Sequence, residues 1–369
     1  MPQPTPLQPK PLQPKPQSAD AMTQAASISD FKPTIAIGGR EVGPGAPVFI
    51  IAEAGVAHFG DMGLARELVD LAAEGGADVF KTQFFDVDQL FAASQREWRD
   101  RLRPRNLTLD NAYELKDRCT AKGLLFMSTA HDESRIAWLQ ALDVPAVKVG
   151  SGERNNTPFL SRLASLGKPM VLSTGMYSET DVTEALTAVA EAGCRELALL
   201  HCITSYPTPP EQVSLAAMDR LAELFSGPVG YSDHTADFLA VYGAVARGAR
   251  IVEKHITILR DVPNAQDWKV SAGPENFAQF VADIRRMETM IGQKAKTAAE
   301  CEVAGIGWAT KSLVAARDLA AGHVLTADDL IGKRPGGGIT PNHLAEVLGR
   351  RLKNTLSTDA MLGWGDLDP

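Results

Sequence analysis

The sequence predicts an α/β protein, a (β/α)8 TIM barrel followed by a small β-rich C-terminal domain. Three observations predict it. Eight short apolar runs alternate with stretches whose apolar residues recur at helical spacing, such as Leu64, Leu68, Val69, Leu71 and Ala72. The eight units occupy roughly 230 residues, the usual size of such a barrel. Beyond the helical stretch that ends near Ile291, the texture changes to short strands and Gly-rich turns. Apolar strands alternating with helices imply a parallel sheet covered by helices. An open, doubly wound sheet is the competing architecture, but no Gly-rich dinucleotide loop opens any of the units to support it.

Residues 1–29 read as a disordered tail, with PLQPK repeated from Pro6 to Lys15. Proline at that density favours polyproline II and builds no packed core. The barrel domain is expected over 30–294. It opens with two short strands around Gly38-Gly39, within Thr34 to Gly43. The eight runs then follow: Val48 to Ala52, Ala77 to Phe80, Leu124 to Met127, Ala146 to Val149, Met170 to Ser173, Leu197 to His201, Val229 to Tyr231 and Ile251 to His255. Residues 295–311 read as a polar, small-residue connector. The small domain spans 312–369, with a strand at Ser312 to Ala316, a turn at Ala321-Gly322 and a loop from Lys333 to Ile339. So short a unit is expected to dock onto a partner surface rather than stand alone.

A formal charge of -8 argues against nucleic acid or an anionic membrane as the partner. The four cysteines (Cys119, Cys194, Cys202, Cys301) are far apart and form no CxxC pair, which fits a reducing compartment rather than a disulfide framework. No apolar run approaches the ~20 residues of a membrane span, and the first residues lack the apolar core of a secretory signal. A cytoplasmic location is the expectation.

In a barrel of this kind the functional side chains stand at the C-terminal ends of the strands. Polar residues appear where each apolar run stops: Glu53; Lys81 and Gln83; Ser128, Thr129, His131 and Asp132; Lys148 and Ser151; Ser173 and Thr174; His201, Thr204 and Tyr206; Ser232, Asp233 and His234; Glu253, Lys254 and His255. Loops are polar anyway, which accounts for a few such ends but not for the recurrence of Glu, Lys and His. His234 and His255 follow neighbouring strands of a closed barrel, so both imidazoles can face one point above it. Two neutral imidazoles with open positions suit Mn2+, Fe2+, Zn2+ or Co2+; two hydrogen-bonded core histidines are the plainer alternative. Lys81 and Lys148 lie within apolar strands, where an ammonium needs an anionic partner. That partner is either Glu53, in a buried ion pair, or the carboxylate and phosphate of a bound substrate, aided by Ser151, Ser173 and Ser232.

These residues fall within eight ordered motifs: Ile51-Ala52-Glu53-Ala54-Gly55, Lys81-Thr82-Gln83, Lys148-Val149-Gly150-Ser151-Gly152, Leu172-Ser173-Thr174-Gly175-Met176, His201-Cys202 with Tyr206-Pro207-Thr208-Pro209, Gly230-Tyr231-Ser232-Asp233-His234-Thr235, Glu253-Lys254-His255 and Lys333-Arg334-Pro335-Gly336. From about residue 34 onward the chain resembles the N-acetylneuraminate (sialic acid) synthase family, which includes legionaminate, pseudaminate and spore-coat polysaccharide synthases. The resemblance implies a barrel followed by an antifreeze-like (SAF) domain, paired as a domain-swapped homodimer in which an arginine of the small domain, matched here by Arg334, reaches the partner's sugar. It also implies the chemistry: C3 of phosphoenolpyruvate adds to the open-chain aldehyde of an N-acetylated hexosamine, water enters at C2, and phosphate leaves with C–O cleavage.

In that scheme a divalent metal on His234 and His255, Mn2+ with Mg2+ or Co2+ as alternatives, polarises the aldehyde oxygen. Lys81, Lys148, Ser151, Ser173 and Ser232 hold the phosphoenolpyruvate charges. Glu53 orients or deprotonates the attacking water, or stabilises a cationic centre at C2. Gln83, Thr129, Thr204, Tyr206 and Asp267 fall at sugar-facing positions, Asp267 being matched through the loop 264–267. The chain also departs from the family pattern: Ala57-His58-Phe59-Gly60 stands where the family has Asn-His-Asn-Gly, Thr204 replaces an Asn, and Thr310-Lys311 replaces arginines. The acceptor sugar is therefore left open between N-acetylmannosamine and a 2,4-diacetamido-dideoxy sugar. Other readings are a phosphoenolpyruvate aldol synthase acting on a phosphorylated or unusual aldose, a degenerate assembly partner, and a glycan- or ice-binding protein.

Overall fold

The computed structural model describes residues 30–263 and 265–368. The proline-rich tail lies outside the described residues.

Strands β1 (Ile35–Ile37) and β2 (Arg40–Val42) pair antiparallel around Gly38 and Gly39, both of which take positive φ. Eight strands then close a parallel barrel: β3 (Phe49–Gly55), β4 (Val79–Phe84), β5 (Leu125–Ala130), β6 (Val147–Val149), β7 (Met170–Ser173), β8 (Leu197–Cys202), β9 (Val229–Asp233) and β10 (Ile251–His255), with β10 returning to pair with β3. All eight predicted runs are strands. Several continue through polar residues that a run of apolar letters does not include, among them Glu53, Lys81, Gln83 and Thr129.

The outer ring is α1 (Met62–Glu74), α2 (Leu109–Ala121), α3 (Ile136–Ala141), α4 (Thr157–Ala164), α5 (Glu179–Glu191), α6 (Ala217–Leu224), α7 (Leu239–Ala246) and α8 (Phe277–Ile291). Helix starts carry the expected chemistry. Asp61 accepts from Gly63 N and Leu64 N ahead of α1, and Thr108 with Asn111 and Ser178 with Asp181 form reciprocal caps on α2 and α5. The residues Leu68, Val69 and Ala72 of α1 are buried against the barrel, as their spacing predicts.

The barrel interior follows the two-residue period of its strands. Phe49, Ile51, Val79, Met127, Ala146, Val171, Ala198, Leu200 and Ile251 fill the lower part, closed from below by Ile35, Ile37 and Val42 of the hairpin. Two residues further along the same inward columns stand Glu53, Lys81, Thr129, Lys148, Ser173, Cys202 and Glu253. One strand face thus carries the core at one end and the polar site at the other.

A second compact unit begins at Gln293. Its strands β11 (Ser312–Ala315) and β12 (Leu330–Lys333) pair antiparallel over a small core of Leu313, Leu319, Leu325, Ile339, Leu352 and Leu362. Buried Asp329 ties its turns together through Arg317, His323 and Thr326. The connector expected at 295–311 holds a helix, α9 (Val303–Ala309). Val303 and Ile306 do recur at helical spacing, but Gly305 and Gly307 weaken the propensity and hide it in the sequence.

Candidate active site

Twelve of the fourteen side chains singled out from the sequence line one cavity of about 160 Å³ at the C-terminal end of the barrel: Glu53, Lys81, Gln83, Thr129, Lys148, Ser151, Ser173, Thr204, Tyr206, Ser232, His234 and His255. Four other clefts among the described residues are larger, from about 210 to about 820 Å³, but none brings lysine, glutamate and histidine together, so side-chain chemistry rather than size distinguishes the smaller one. Asp267 is not among the lining residues; it opens a 3-10 turn, Asp267–Val270. Arg334 belongs to the second unit, where its guanidinium stands 5.7 Å from the Trp308 ring centre.

At the floor of the cavity lie two ammonium groups and two carboxylates, all buried. Lys81 Nζ is 2.8 Å from Glu53 Oε2 and 3.4 Å from Glu253 Oε2. Lys148 Nζ is 3.6 Å from Glu253 Oε1 and donates to Ser173 Oγ at 2.7 Å and to Val149 O at 2.9 Å. Ser232 Oγ donates to Glu253 Oε1 at 2.9 Å, and Gln83 Nε2 donates to Glu53 Oε1 at 2.9 Å. The buried ion pair weighed from the sequence is therefore formed, and Lys81 still faces the cavity.

The electrostatics differ between the two lysines. Burial pulls the Lys81 pKa down, but the charges of Glu253 and Glu53 outweigh it and hold the group above its usual value. Burial also lowers Lys148, and there Glu253 opposes it only in part, so Lys148 stays below its usual value. For Glu253, burial pushes the carboxyl up, yet Lys148, Lys81 and the Ser232 hydrogen bond outweigh it and keep the group well below the carboxylate range.

Above this floor the imidazoles of His234 and His255 stand 5.4 Å apart between ring centres, with the Tyr206 ring 4.0 Å from the first. His234 Nδ1 lies 2.7 Å from the Ile203 carbonyl, which fixes the proton on that nitrogen and leaves the Nε2 lone pair available. Burial, followed by His255, brings the His234 pKa down to about 3, so the ring is neutral near pH 7. A neutral imidazole oriented by a carbonyl fits a metal ligand. Among the described residues no group of three His, Cys, Asp or Glu side chains gathers into a ready metal set, so water or substrate would supply the remaining ligands. Burial pushes the Tyr206 phenol up, and it stays protonated.

Glycine is required at one wall. A Cβ on Gly175 would fall 2.4 Å from Thr204 Oγ1 and 2.7 Å from Ser151 Oγ, while Gly175 N donates to Ser151 Oγ at 2.9 Å. The bare backbone is what lets β7 and its neighbours bring these hydroxyls together.

Three lining residues were passed over in the sequence assignments: Glu253, His131 and Cys202. Glu253 could have been found by counting two positions back from His255, since residues i and i+2 share a strand face. The same count turns Lys254 outward, where it pairs with Asp233 rather than with substrate. His131, lowered to about 4 by burial and by Lys81 and Lys148, is a neutral donor or acceptor. Ser128, Thr174 and His201, polar ends of the same strands, are spent on the carbonyls of Thr82, Leu200 and Val213.

A closed parallel barrel with this site at its C-terminal end, followed by a small β unit, defines a class, and known sequences agree with it. Residues 68–296 match the NeuB family and residues 310–368 match the SAF domain, so the chain belongs to the NeuB family. It is 40% identical to the uncharacterized protein MJ1065 of Methanocaldococcus jannaschii, over 90% of this chain and 98% of that one. It is 37% identical to the N,N'-diacetyllegionaminic acid synthase of Legionella pneumophila, over 87% of this chain and 94% of the relative. Among solved structures, the N-acetylneuraminic acid synthetase of Leptospira borgpetersenii superposes with a TM-score of 0.70 at 31% identity, covering 74% of this chain and 95% of that one.

Proposed function

We propose that this chain joins phosphoenolpyruvate to the aldehyde carbon of an N-acetylated hexosamine, giving a nonulosonic acid and inorganic phosphate. The observation that carries the reading is one cavity holding two buried lysines, their carboxylates and two imidazoles. Such a floor suits a small anion: Lys81 and Lys148, with Ser151, Ser173 and Ser232, can receive the carboxylate and phosphate, and Glu253 fixes where the two ammonium groups stand. In the reaction a C–C bond forms between C3 and the aldehyde carbon, and the aldehyde oxygen takes up a proton. The C2–O bond to phosphate breaks, and water supplies the new oxygen at C2. Glu53, held by Gln83 and Lys81, is placed to orient that water or to accept its proton. His234 and His255 would hold a divalent metal, Mn2+ by preference, which when bound supplies Lewis-acid polarisation. Gln83, Thr129, Thr204 and Tyr206 line the approach and would contact the acceptor, with Asp267 beside them and Arg334 reaching it from a swapped partner subunit.

The test is phosphate release from phosphoenolpyruvate with Mn2+ against a panel of free and phosphorylated amino sugars. Release that requires an aldehyde, and is abolished by chelation and by His234→Ala, supports the proposal. Metal binding without turnover across the panel favours a degenerate assembly partner instead.

A further inference from the structure

His131 lines the cavity without a role among the groups assigned to phosphoenolpyruvate, the metal or the acceptor. It follows β5 directly, and its backbone N–H donates to Phe84 O at 2.9 Å, so the pairing with β4 runs on through it. The two-residue period therefore carries on as well. On this column Met127 lies in the barrel core, Thr129 lines the cavity, and His131 lines it one step further out. The ring lies over the Gly150 backbone, where a Cβ would fall 3.7 Å from His131 Cε1, at the start of the turn that presents Ser151.

Among the described residues the half-buried ring makes no hydrogen bond, ion pair or aromatic contact. The adjacent carboxylate, Asp132, is spent elsewhere: it accepts from Asp86 N at 2.6 Å and from Ser134 N at 2.9 Å. A neutral imidazole carries one donor and one acceptor, and here both are unused. The charged groups that act on the ring are Lys81 from β4, Lys148 from β6 and, in the opposite direction, Asp132 beside it. Burial comes first and the two ammonium groups next, and together they bring the ring down to about 4. Glu53 and Glu253 answer the charge of Lys81 from β3 and β10, whereas Lys148 meets Glu253 alone, at 3.6 Å. The ring thus stands in the field of two cations and is bound to no carboxylate. A neutral polar group entering there would gain one hydrogen bond. An anion gains that bond and a proton besides.

We propose that His131 donates a hydrogen bond to the anionic group of phosphoenolpyruvate seated on Lys81 and Lys148, and that it takes up a proton from solvent as that group enters. This rests on the assignment of phosphoenolpyruvate to the cavity floor, and it adds a third, titrating donor to the two lysines. The entering charge offsets the field of the lysines, so the ring returns toward its ordinary 6.5. The added affinity is present below that value and is lost as pH rises through it.

The test is calorimetric titration of sulfate into the metal-free full chain. Sulfate stays a dianion between pH 6 and 8 and itself exchanges no proton. It is expected to bind about fourfold tighter at pH 6 than at pH 8, with about 0.7 of a proton taken up at pH 6. The uptake is read from the change in apparent enthalpy between buffers of different ionisation heat. His131→Gln keeps a donor but cannot titrate, and should lose both the fourfold gain and the uptake at an unchanged melting temperature. His131→Phe loses the donor too, and should bind sulfate about tenfold more weakly even at pH 8. Phosphoenolpyruvate should displace the sulfate. No sulfate binding, sulfate bound alongside phosphoenolpyruvate, binding without proton uptake, or an uptake that survives in His131→Gln overturns the inference. Failure of every acceptor to release phosphate overturns the condensation instead, and the sulfate measurement decides on His131 in either case.

Discussion

Replacing Glu253 by Gln keeps the shape of the side chain and removes the charge that faces both lysines. At an effective dielectric of about 20, a unit-charge pair at 3.4 or 3.6 Å is worth about 5 kcal/mol before desolvation. Part of that is returned because the carboxylate no longer has to be buried, and breaking a buried ion pair by removing one partner costs about 3–5 kcal/mol. Urea unfolding of the metal-free Glu253→Gln variant should therefore show a loss of about that size. Anion binding should move the opposite way. With one negative charge gone from the floor, phosphate should bind about tenfold tighter or better, an effect of about 1.4 kcal/mol. The double variant Glu253→Gln with Lys148→Met restores the charge count and should recover about 3 kcal/mol relative to additivity. Additive losses in that cycle, with unchanged phosphate affinity, would refute the claim that Glu253 is what holds the two lysines at the site.

Three further outcomes follow from the same geometry. His58 is kept neutral down to about 4 by burial and by Arg105, whereas an unfolded histidine takes up its proton near 6.5, so the folded state loses stability as pH falls below 6.5, with the loss complete near 4. Between pH 7.5 and 5.5, where carboxylates stay ionised, the share of His58 amounts to about 1.3 kcal/mol, and the loss read from urea curves should shrink by that much in His58→Gln, with His131 and His234 supplying the remainder. Gly175→Ala drives a Cβ into Thr204 Oγ1 and Ser151 Oγ, and should cost about 1–3 kcal/mol in urea unfolding and weaken phosphoenolpyruvate binding in calorimetry. His234→Gln removes one of the two proposed ligands and should weaken Mn2+ binding at least about tenfold by equilibrium dialysis, with phosphate binding in the metal-free protein unchanged.

The barrel was legible because each of its strands leaves a short, mostly apolar run, and burial on the inner face permits little else there. The polar ends were legible as a set. Individual residues were less so: Glu253 and Lys254 are adjacent and equally charged in magnitude, and only the two-residue period separates the one facing the cavity from the one paired with Asp233. The pairing of Lys81 with both Glu53 and Glu253 needs three strands, β3, β4 and β10, brought side by side by closure of the barrel. No local pattern encodes that. The helix Val303–Ala309 was hidden by its glycines.

The measurement that tests the central claim most directly uses phosphoenolpyruvate labelled with heavy oxygen in the C2–O–P bridge, an amino-sugar acceptor and Mn2+. The released phosphate is read by its isotope-shifted phosphorus resonance and the sugar acid by mass. The account predicts release that depends on the acceptor, phosphate that carries the label, and a product larger than the acceptor by the three carbons of the enolpyruvyl unit. Unlabelled phosphate, or release that proceeds equally without an aldehyde, would contradict it.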